Sequence, residues 1–191
     1  QRLSGREDIT LLTLPGEHRK DTEKRRAMMR RADLVILCLP DEAAREAVGL
    51  IENEKTRVID ASTAHRTAPG WVYGFPELHK EQREAIRSAR LVANPGCHAV
   101  GFISIVHPLV ALGILPKDYP VTCFSLTGYT GGGKKMIAQY EQEKTPDLMV
   151  PRLYGLNLKH KHLPEMTKIS GLAREPVFVP VVDDYDCGMA T

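Results

Sequence analysis

An apolar run at residues 34–39 is the feature that most limits how this chain can fold. The run reads Leu-Val-Ile-Leu-Cys-Leu and is closed by Pro40. A short, continuous apolar segment is typical of a strand buried on both faces of a parallel sheet, and proline ends such a strand because it lacks an amide hydrogen. Asp41 is then placed to cap a helix, and apolar residues recur at helical spacing from Ala43 to Ile51. A strand followed by a helix is therefore predicted.

This order of strand and helix recurs through the first half of the chain. Periodicity and turn residues predict strands at residues 9–14, 57–60 and 91–93, a basic surface helix within 18–31, and helices at 81–89 and 97–112. Short alternating strands and helices are the pattern of a doubly wound, Rossmann-like parallel sheet. In such a sheet, ligands bind at the carboxyl ends of the strands. We therefore expect part of an α/β dinucleotide-binding domain over residues 1–96.

The order of predicted strands and helices changes after Gly113. Strand-like segments are predicted at residues 121–126, 152–158 and 177–182, with a tight glycine loop at 131–133 and an amphipathic helix at 134–143. Helices and strands no longer alternate in short order there. Residues 97–191 are therefore expected to form part of an α+β catalytic or substrate domain.

Charge and apolar content exclude several classes of partner. The 191 residues include 26 Lys and Arg against 24 Asp and Glu, so no chain-wide field would hold nucleic acid or an anionic membrane surface. The longest apolar stretch, residues 99–115, is interrupted by His107 and Pro108 and is too short to span a bilayer. A small-molecule partner is the better prediction.

The four cysteines argue for a reducing compartment. They lie at positions 38, 97, 123 and 187, with no Cys-x-x-Cys pair and no close spacing. Such spacing favours neither a zinc cage nor a secreted disulfide framework. We expect the protein in the cytoplasm, without a metal ion.

One of these cysteines stands in a setting suited to nucleophilic chemistry. Asn94-Pro95-Gly96 forces a turn at the end of the strand predicted at 91–93, so Cys97 falls in the first turn of the next helix. Unpaired amide N–H groups and the helix dipole favour a thiolate there. The same N–H groups can hold the oxyanion of a tetrahedral intermediate. Most lone cysteines are only small buried hydrophobic residues, but this context favours a nucleophile acting on an activated carboxyl group.

A proton carrier for that thiol is predicted at the one histidine cluster, His160-Lys161-His162. Two residues at i and i+2 face the same way on an extended segment, so both imidazoles can reach one pocket. Glu165, three residues on, can orient an imidazole. A metal site or a basic surface patch are the competing interpretations, although further metal ligands are not evident.

Two loops have the composition of ligand-binding segments. Residues 60–66, Asp-Ala-Ser-Thr-Ala-His-Arg, follow a strand's carboxyl end and offer hydroxyls and the Arg66 guanidinium. Residues 127–135, Thr-Gly-Tyr-Thr-Gly-Gly-Gly-Lys-Lys, can close their backbone over an anion or a cofactor. A surface arginine and a flexible hairpin turn are the alternatives.

Taken together and in this order, these segments resemble the N-acetyl-γ-glutamyl-phosphate reductase family, and most of all its shorter form. The matching motifs span essentially the whole chain: residues 60–66, Gly74-Phe75-Pro76-Glu77-Leu78, the Asn-Pro-Gly-Cys run, the glycine loop ending at Lys135, and His160-x-His162-x-x-Glu165. The Asn-Pro-Gly-Cys run is the most specific of them.

The resemblance implies an activity and a role for each site residue. Thiolate attack on an acyl phosphate gives a thioester, and NADPH reduces it to a semialdehyde during arginine biosynthesis. It implies that Cys97 is the nucleophile, that His160 and His162 orient substrate and move protons, and that Arg66 and Glu165 bind substrate. Six residues are expected to line the cofactor: Leu39, Pro40, Ser62, Thr130, Gly131 and Gly132.

This chain departs from the family pattern in several places. His98 stands where an aromatic residue is usual, and Thr127 and Thr130 replace serines. The family's glycine-rich pyrophosphate turn is expected before Gln1, and about a hundred residues are expected after Thr191, so we expect a chain incomplete at both ends.

The cofactor and the oligomeric state can also be predicted. NADP is preferred over NAD because His18, Arg19 and Lys20 follow the strand that normally meets the adenosine ribose, where a 2′-phosphate needs positive charge. A homo-oligomer is expected. The alternatives are a related acyl-phosphate or semialdehyde dehydrogenase, and a non-catalytic remnant.

Overall fold

The first half of the chain forms a four-stranded parallel sheet in the computed structural model, which describes residue 3 and residues 5–191. The strands lie in the order β1-β2-β4-β3, and every neighbouring pair is parallel. Their bounds are β1 (Leu34–Leu37), β2 (Arg57–Asp60), β3 (Val72–Tyr73) and β4 (Leu91–Ala93). β2 and β4 begin and end at the predicted residues.

Helix α1 (Thr22–Arg31) precedes β1, α2 (Asp41–Gly49) connects β1 to β2, and α3 (Gln82–Ser88) connects β3 to β4. Asp21 caps α1 by accepting a hydrogen bond from the Lys24 amide at 3.0 Å. Asp41 was predicted to cap α2, but it is the first helical residue and Pro40 holds the cap position. The Asp41 carboxylate instead accepts from the backbone and the hydroxyl of Thr63, because that loop lies directly beside it.

Two predictions at the open edge of this sheet are wrong. Residues 9–14 form no strand, and within the described residues they make no ladder hydrogen bond. The apolar run at 34–39 forms a strand only to Leu37, and it is buried on one face: Leu37 is 3% exposed, whereas Leu34 and Ile36 are 46% and 50% exposed. The physical reason is that β2 pairs with one edge of β1, while no described element covers the outward side chains.

The second half of the chain folds around a mixed sheet in the order β6-β7-β5-β8. β5 and β7 are parallel, and β6 and β8 are antiparallel to their neighbours. The strands are β5 (Thr122–Gly128), β6 (Arg152–Leu153), β7 (Val177–Asp183) and β8 (Met189–Ala190). A parallel sheet followed by an α+β unit is the predicted fold class, and it is confirmed.

Helices α4 (Cys97–Ala111) and α6 (Leu163–Ser170) pack on one face of this sheet, and α5 (Gly133–Glu141) follows the glycine loop. The core between them is apolar and closely packed, with Phe102, Ile103 and Met166 from the helices against Cys123 and Phe178 from the strands. Within the described part of the chain, no helix has the length and apolar character to cross a membrane.

Helix α4 joins the two halves. β4 ends at Ala93, and Asn94-Pro95-Gly96 turns the chain directly into α4 at Cys97. The amino end of α4 therefore stands at the carboxyl edge of the first sheet, while the body of the helix packs on the second. This places the start of α4 between the two sheets.

Candidate active site

Cys97 lies at the rim of a cavity of about 290 Å³ between the two halves of the chain. It is the first residue of α4, its side chain is exposed, and no side chain of the described residues caps this helix. Residues predicted from four separate segments meet there: Cys97, Arg66, His160, His162, Gly131 and Gly132. The structure thus brings together the main residues selected from the sequence.

A buried carboxylate holds the turn before Cys97. Glu165 is 1% exposed, and its Oε1 lies 2.6 Å from Nη1 of Arg66. Its Oε2 accepts hydrogen bonds from the Tyr73 hydroxyl at 2.7 Å and from the Gly96 amide at 3.1 Å. The expectation that Glu165 orients an imidazole is therefore wrong for this structure, because both carboxylate oxygens are engaged by other groups.

Arg66 completes the clamp on this turn. Its Nε donates to the Asn94 carbonyl at 2.9 Å, and its Nη2 donates to the Ala61 carbonyl at 3.1 Å. With the Glu165 contact, three of the five guanidinium N–H donors are used. The remaining two are available where Arg66 lines the cavity.

Gly96 is required by this arrangement. A Cβ placed on Gly96 would lie 2.5 Å from Arg66 Nη1, Glu165 Oε1 and His162 Nε2. Any larger residue would push these three side chains apart. The glycine of the Asn-Pro-Gly-Cys run therefore permits the close approach of the ion pair and the imidazole to the backbone.

The predicted histidine pair lines the cavity, but the backbone that carries it does not have the predicted conformation. His162 is the cap residue of α6 in helical conformation, so residues 160–162 form a turn and not the extended segment predicted. The His162 amide donates to Nδ1 of His160 at 3.2 Å, and the ring centroids are 4.7 Å apart. The turn brings the two rings into contact.

Burial keeps these imidazoles neutral. Desolvation, with His160 and Arg66 nearby, lowers the pKa of His162 to about 2. Desolvation and Lys161 also lower the pKa of His160, which is only half-buried. Nδ1 of His162 is buried without a hydrogen-bond partner among the described residues. A neutral ring with a free nitrogen can accept or pass a proton.

Two residues of the cavity were not predicted to act there, His98 and Tyr154. His98 is 2% exposed, and its ring centroid lies 5.8 Å from those of His160 and His162. Its Nε2 lies 2.6 Å from the Tyr154 hydroxyl. Adjacency to Cys97 was the only sequence signal for His98, and Tyr154 gave none, because it is distant along the chain.

The loop after β2 is held by its own side chains. The fully buried Asp60 carboxylate accepts from the Ser62 amide at 3.0 Å and from the Ser62 hydroxyl at 2.6 Å. It also lies 2.6 Å from Nδ1 of His65, whose ring stacks on Trp71 at 4.1 Å. Ser62 thus supports the loop and does not line the cavity.

The remaining predicted cofactor residues divide into three groups. Gly131 and Gly132 line the Cys97 cavity, at the end of a turn of 3-10 helix (Tyr129–Gly132) and not in the tight loop predicted. Thr130 fastens that turn, because its amide and hydroxyl both donate to the Asp186 carbonyl. Leu39 and Pro40 are exposed beyond the end of β1, outside this cavity.

The residues of the site are better suited to a nicotinamide than to a metal ion. In the residues that the structure describes, no group of three or more His, Cys, Asp and Glu side chains is arranged to hold a metal ion. A nicotinamide fits better. Gly131 and Gly132 line the cavity together with Cys97, and a Cβ on Gly132 would lie 2.5 Å from the sulfur of Met136, another lining residue. β2 and β4 are parallel, and the segments that follow their carboxyl ends bring Arg66 and Cys97 to this cavity.

Comparison with protein families matches two domains in succession. Residues 10–88 match the family model described as the semialdehyde dehydrogenase NAD binding domain. Residues 97–191 match the semialdehyde dehydrogenase dimerisation domain.

Curated relatives cover the whole chain. It is 49% identical over 189 residues to N-acetyl-gamma-glutamyl-phosphate reductase 2 of Pseudomonas putida. This alignment covers 99% of this chain and 60% of that protein. It is 53% identical over 192 residues to N-acetyl-gamma-glutamyl-phosphate reductase of Chelativorans sp., covering 100% of this chain and 61% of that protein. The chain thus spans about 60% of the length of these relatives.

Solved structures share the fold at low identity. Aspartate semialdehyde dehydrogenase II of Vibrio cholerae, complexed with ASA, has a TM-score of 0.53 at 16% identity, covering 84% of this chain and 54% of that one. Aspartate semialdehyde dehydrogenase of Francisella tularensis has a TM-score of 0.53 at 11% identity, covering 87% and 58%. At these identities the likeness concerns the fold alone.

Proposed function

Because this chain belongs to the semialdehyde dehydrogenase family, among the N-acetyl-γ-glutamyl-phosphate reductases, we propose that it reduces N-acetyl-γ-glutamyl phosphate to N-acetylglutamate semialdehyde in arginine biosynthesis. One observation carries the proposal. An exposed cysteine opens a helix at the rim of a cavity that also holds neutral imidazoles and two glycines.

The first step is attack by Cys97. Its thiolate forms a carbon–sulfur bond to the γ-carbonyl, and the carbon–oxygen bond to phosphate breaks, so phosphate leaves with the electron pair. The carbonyl oxygen carries negative charge in between. The first amide N–H groups of α4 have no intrahelical partner and no side-chain cap, so they are placed to stabilise that oxyanion.

His160 is the better candidate for the proton carrier, and His162 for orientation. A general base must hold a proton near neutral pH, and the pKa of about 2 at His162 makes its cation too costly. His160 is less buried and lines the same cavity. It takes the thiol proton before attack. After reduction, the oxyanion collapses to the aldehyde, the carbon–sulfur bond breaks, and His160 returns the proton to the Cys97 sulfur. The His162 ring lies against Gly96, and its role is to orient the substrate in the cavity.

Arg66 is proposed to bind the substrate phosphate. Its two unused N–H donors and its place on the cavity wall support this role. Glu165 then acts on substrate only through Arg66 and the Gly96 turn.

NADP is the proposed cofactor, and its reduced form, NADPH, would supply the hydride that reduces the thioester. Gly131 and Gly132 would admit the nicotinamide beside Cys97, while Leu39, Pro40 and Ser62 stand at the carboxyl ends of β1 and β2, where dinucleotides bind in such sheets. Arg19 and Lys20 are exposed, and no carboxylate of the described residues pairs with them. They would meet the 2′-phosphate. Equal affinity for NADP and NAD, or no loss of NADP affinity in Arg19→Ala, would contradict this assignment.

The decisive test replaces Cys97 by serine. In the reverse direction, the protein with N-acetylglutamate semialdehyde, phosphate and NADP should produce NADPH, followed by its absorbance. Cys97→Ser should lose essentially all of this rate, because an oxyester is formed poorly and reduced poorly. Cys38→Ser is the matched control, since Cys38 is also exposed but lies outside the cavity.

The outcomes separate the alternatives. Activity with another semialdehyde only would favour a related dehydrogenase. If Cys97 is alkylated no faster than Cys38 and the protein has no activity, the chain is a non-catalytic remnant.

We also propose that the second sheet mediates self-association. Its helix-free face carries Phe124, Leu153 and Val177, and Phe124 is 58% exposed. An apolar sheet face without cover is typical of an interface, and the matching family model is described as a dimerisation domain. Phe124→Glu should lower the molar mass measured by light scattering during size-exclusion chromatography. Ile36→Glu, a similar change on the first sheet, should not.

Two predictions stay as proposals. The domain boundary is placed between residues 96 and 97, where the chain leaves the first sheet for a helix packed on the second. The second of these proposals is the cytoplasmic location, which was inferred from the spacing of the cysteines.

A further inference from the structure

His98 links the cavity to the interior of the second domain. Its side chain is buried, and both of its ring nitrogens have partners: Nδ1 lies 2.7 Å from the Ser125 hydroxyl, and Nε2 lies 2.6 Å from the Tyr154 hydroxyl. Ser125 Oγ lies 3.0 Å from the Thr191 hydroxyl. Four polar groups therefore form one chain of hydrogen bonds, Thr191-Ser125-His98-Tyr154, that ends at the cavity wall.

A neutral imidazole decides in which direction the hydrogen bonds of such a chain are donated. Burial lowers the pKa of His98 to about 4, so near neutral pH the ring has one N–H donor and one acceptor nitrogen. If Nδ1 carries the hydrogen, the Tyr154 hydroxyl must donate to Nε2 and offers only lone pairs to the cavity. If Nε2 carries it, the ring donates to the Tyr154 oxygen, and the phenolic hydrogen is free to point elsewhere.

Cys97 favours the second direction. Tyr154 and Cys97 line the same cavity, and burial, together with the charge of a Cys97 thiolate, raises the pKa of Tyr154 to about 12. A phenol held near an anion lowers the energy of the pair by turning its hydrogen toward the negative charge. An upstream donor to its oxygen strengthens that bond through cooperativity.

We infer that His98 is a positioning residue: by donating from Nε2 to the Tyr154 oxygen, it holds the Tyr154 hydroxyl as a hydrogen-bond donor to the negative charge that forms at Cys97. That charge is the thiolate before attack and the neighbouring oxyanion afterwards. Its identity as part of a reduction rests on the proposed function, whereas the hydrogen-bond chain does not.

A purely packing role for His98 makes a different prediction. The ring also touches Phe178 edge-on at 5.3 Å between centroids, so phenylalanine would fill much of the same volume. If packing were the whole role, His98→Phe would leave the behaviour of Cys97 unchanged.

The test measures Cys97 without substrate or cofactor. The rate of iodoacetamide alkylation at Cys97, followed by peptide mass spectrometry across pH, gives the apparent pKa of the thiol. Tyr154→Phe and His98→Phe should each raise that apparent pKa by about one unit and slow alkylation near neutral pH about tenfold, because a hydrogen bond to a charge is lost. His160 and His162, which share the cavity, are kept in every variant.

Three comparisons make the result specific to the chain of hydrogen bonds. The double variant should be no slower than Tyr154→Phe alone, because His98 acts through the Tyr154 hydroxyl, which that variant has already lost. His98→Gln, whose amide can donate from the Nε2 position, should restore most of the rate. Ile36→Ala, distant from the cavity, serves as the control.

The proposal is overturned if His98→Phe reacts like the wild type, or if the effects of the two single variants add. A second measurement needs no variant: nitrogen-15 NMR of the imidazoles reports which nitrogen of His98 carries the hydrogen. Nε2 is expected, and hydrogen at Nδ1 would overturn the proposal even if His98→Phe does not fold. A shifted Cys97 profile without reductase activity would contradict the proposed function and leave this inference intact.

Discussion

The Cys97 end of the first sheet and its outer strand β1 differ in what covers them. At Cys97, helix α6 and the loop after β2 supply partners for buried polar groups, with Glu165, Arg66 and Tyr73 joined in one network. At β1, Leu34 and Ile36 lie open. Both regions were predicted to be buried parallel strands. The difference shows that a local apolar pattern specifies a strand, while neighbouring elements decide what the strand buries.

The largest expected effect on stability comes from removing the buried carboxylate at the Cys97 end of the first sheet. Glu165→Ala should lower the free energy of unfolding in urea by about 3–5 kcal/mol, because it leaves the Arg66 guanidinium buried without its carboxylate. Glu23→Ala removes an ion pair with Arg26 from an exposed glutamate and should cost less than about 1 kcal/mol. Equal losses for the two variants would mean that the buried network contributes no more than a surface pair.

A smaller effect compares the two faces of β1 itself. Leu37→Ala should cost about 3 kcal/mol, because this side chain is buried among Ala47, Ile51 and Val58. Ile36→Ala, one residue earlier on the open face, should cost less than about 0.5 kcal/mol. The same urea titration measures both. A large loss at Ile36 would show that this face is covered in solution, as by self-association of the exposed edge.

The smallest expected effect is a pH dependence of the free energy of unfolding, caused by the buried histidines of the Cys97 cavity. His98 and His162 have pKa values lowered to about 4 and about 2, whereas an unfolded histidine titrates near 6.5. Below pH 6.5 the unfolded state therefore binds protons that the folded state does not, so stability falls as pH falls. Each histidine should contribute up to about 1.4 kcal/mol per pH unit between pH 6 and 5.

The His98→Phe variant separates the two contributions. Its unfolding free energy should depend less steeply on pH than that of the wild type over the same interval, because one titrating group is gone. An unchanged slope would show that His98 is protonated in the folded protein, against the neutral ring on which its hydrogen-bond chain depends.

Much of the cavity could be predicted because its signals are local. Asn94-Pro95-Gly96 can only turn, and the helix that follows is set by apolar spacing, so Cys97 had to stand at a helix start. His160 and His162 lie close along the chain, and a two-residue separation brings them together even though the segment is a turn and not extended. Their meeting with Cys97 was inferred because a thiolate needs a proton carrier and they form the one histidine cluster, and all three line one cavity in the structure.

The rest depended on contacts between distant segments. Glu165 was assigned to an imidazole because His162 is three residues away, but Arg66, 99 positions earlier, and Tyr73 take its oxygens. His98 was regarded as a tolerated replacement, since nothing near it in the chain reveals Ser125 and Tyr154. The strand predicted at residues 9–14 failed for the converse reason, because β-propensity forms no strand without a partner for its backbone.

By itself, the sequence determined the strand–helix order, the turn that presents Cys97 and the residue types available for its chemistry, because these depend on backbone geometry within a few residues. The tertiary structure alone decided which carboxylate holds that turn, which imidazoles stay neutral and which apolar face stays open. Those properties depend on burial and on partners 27 to 99 positions away along the chain, and no local pattern records them.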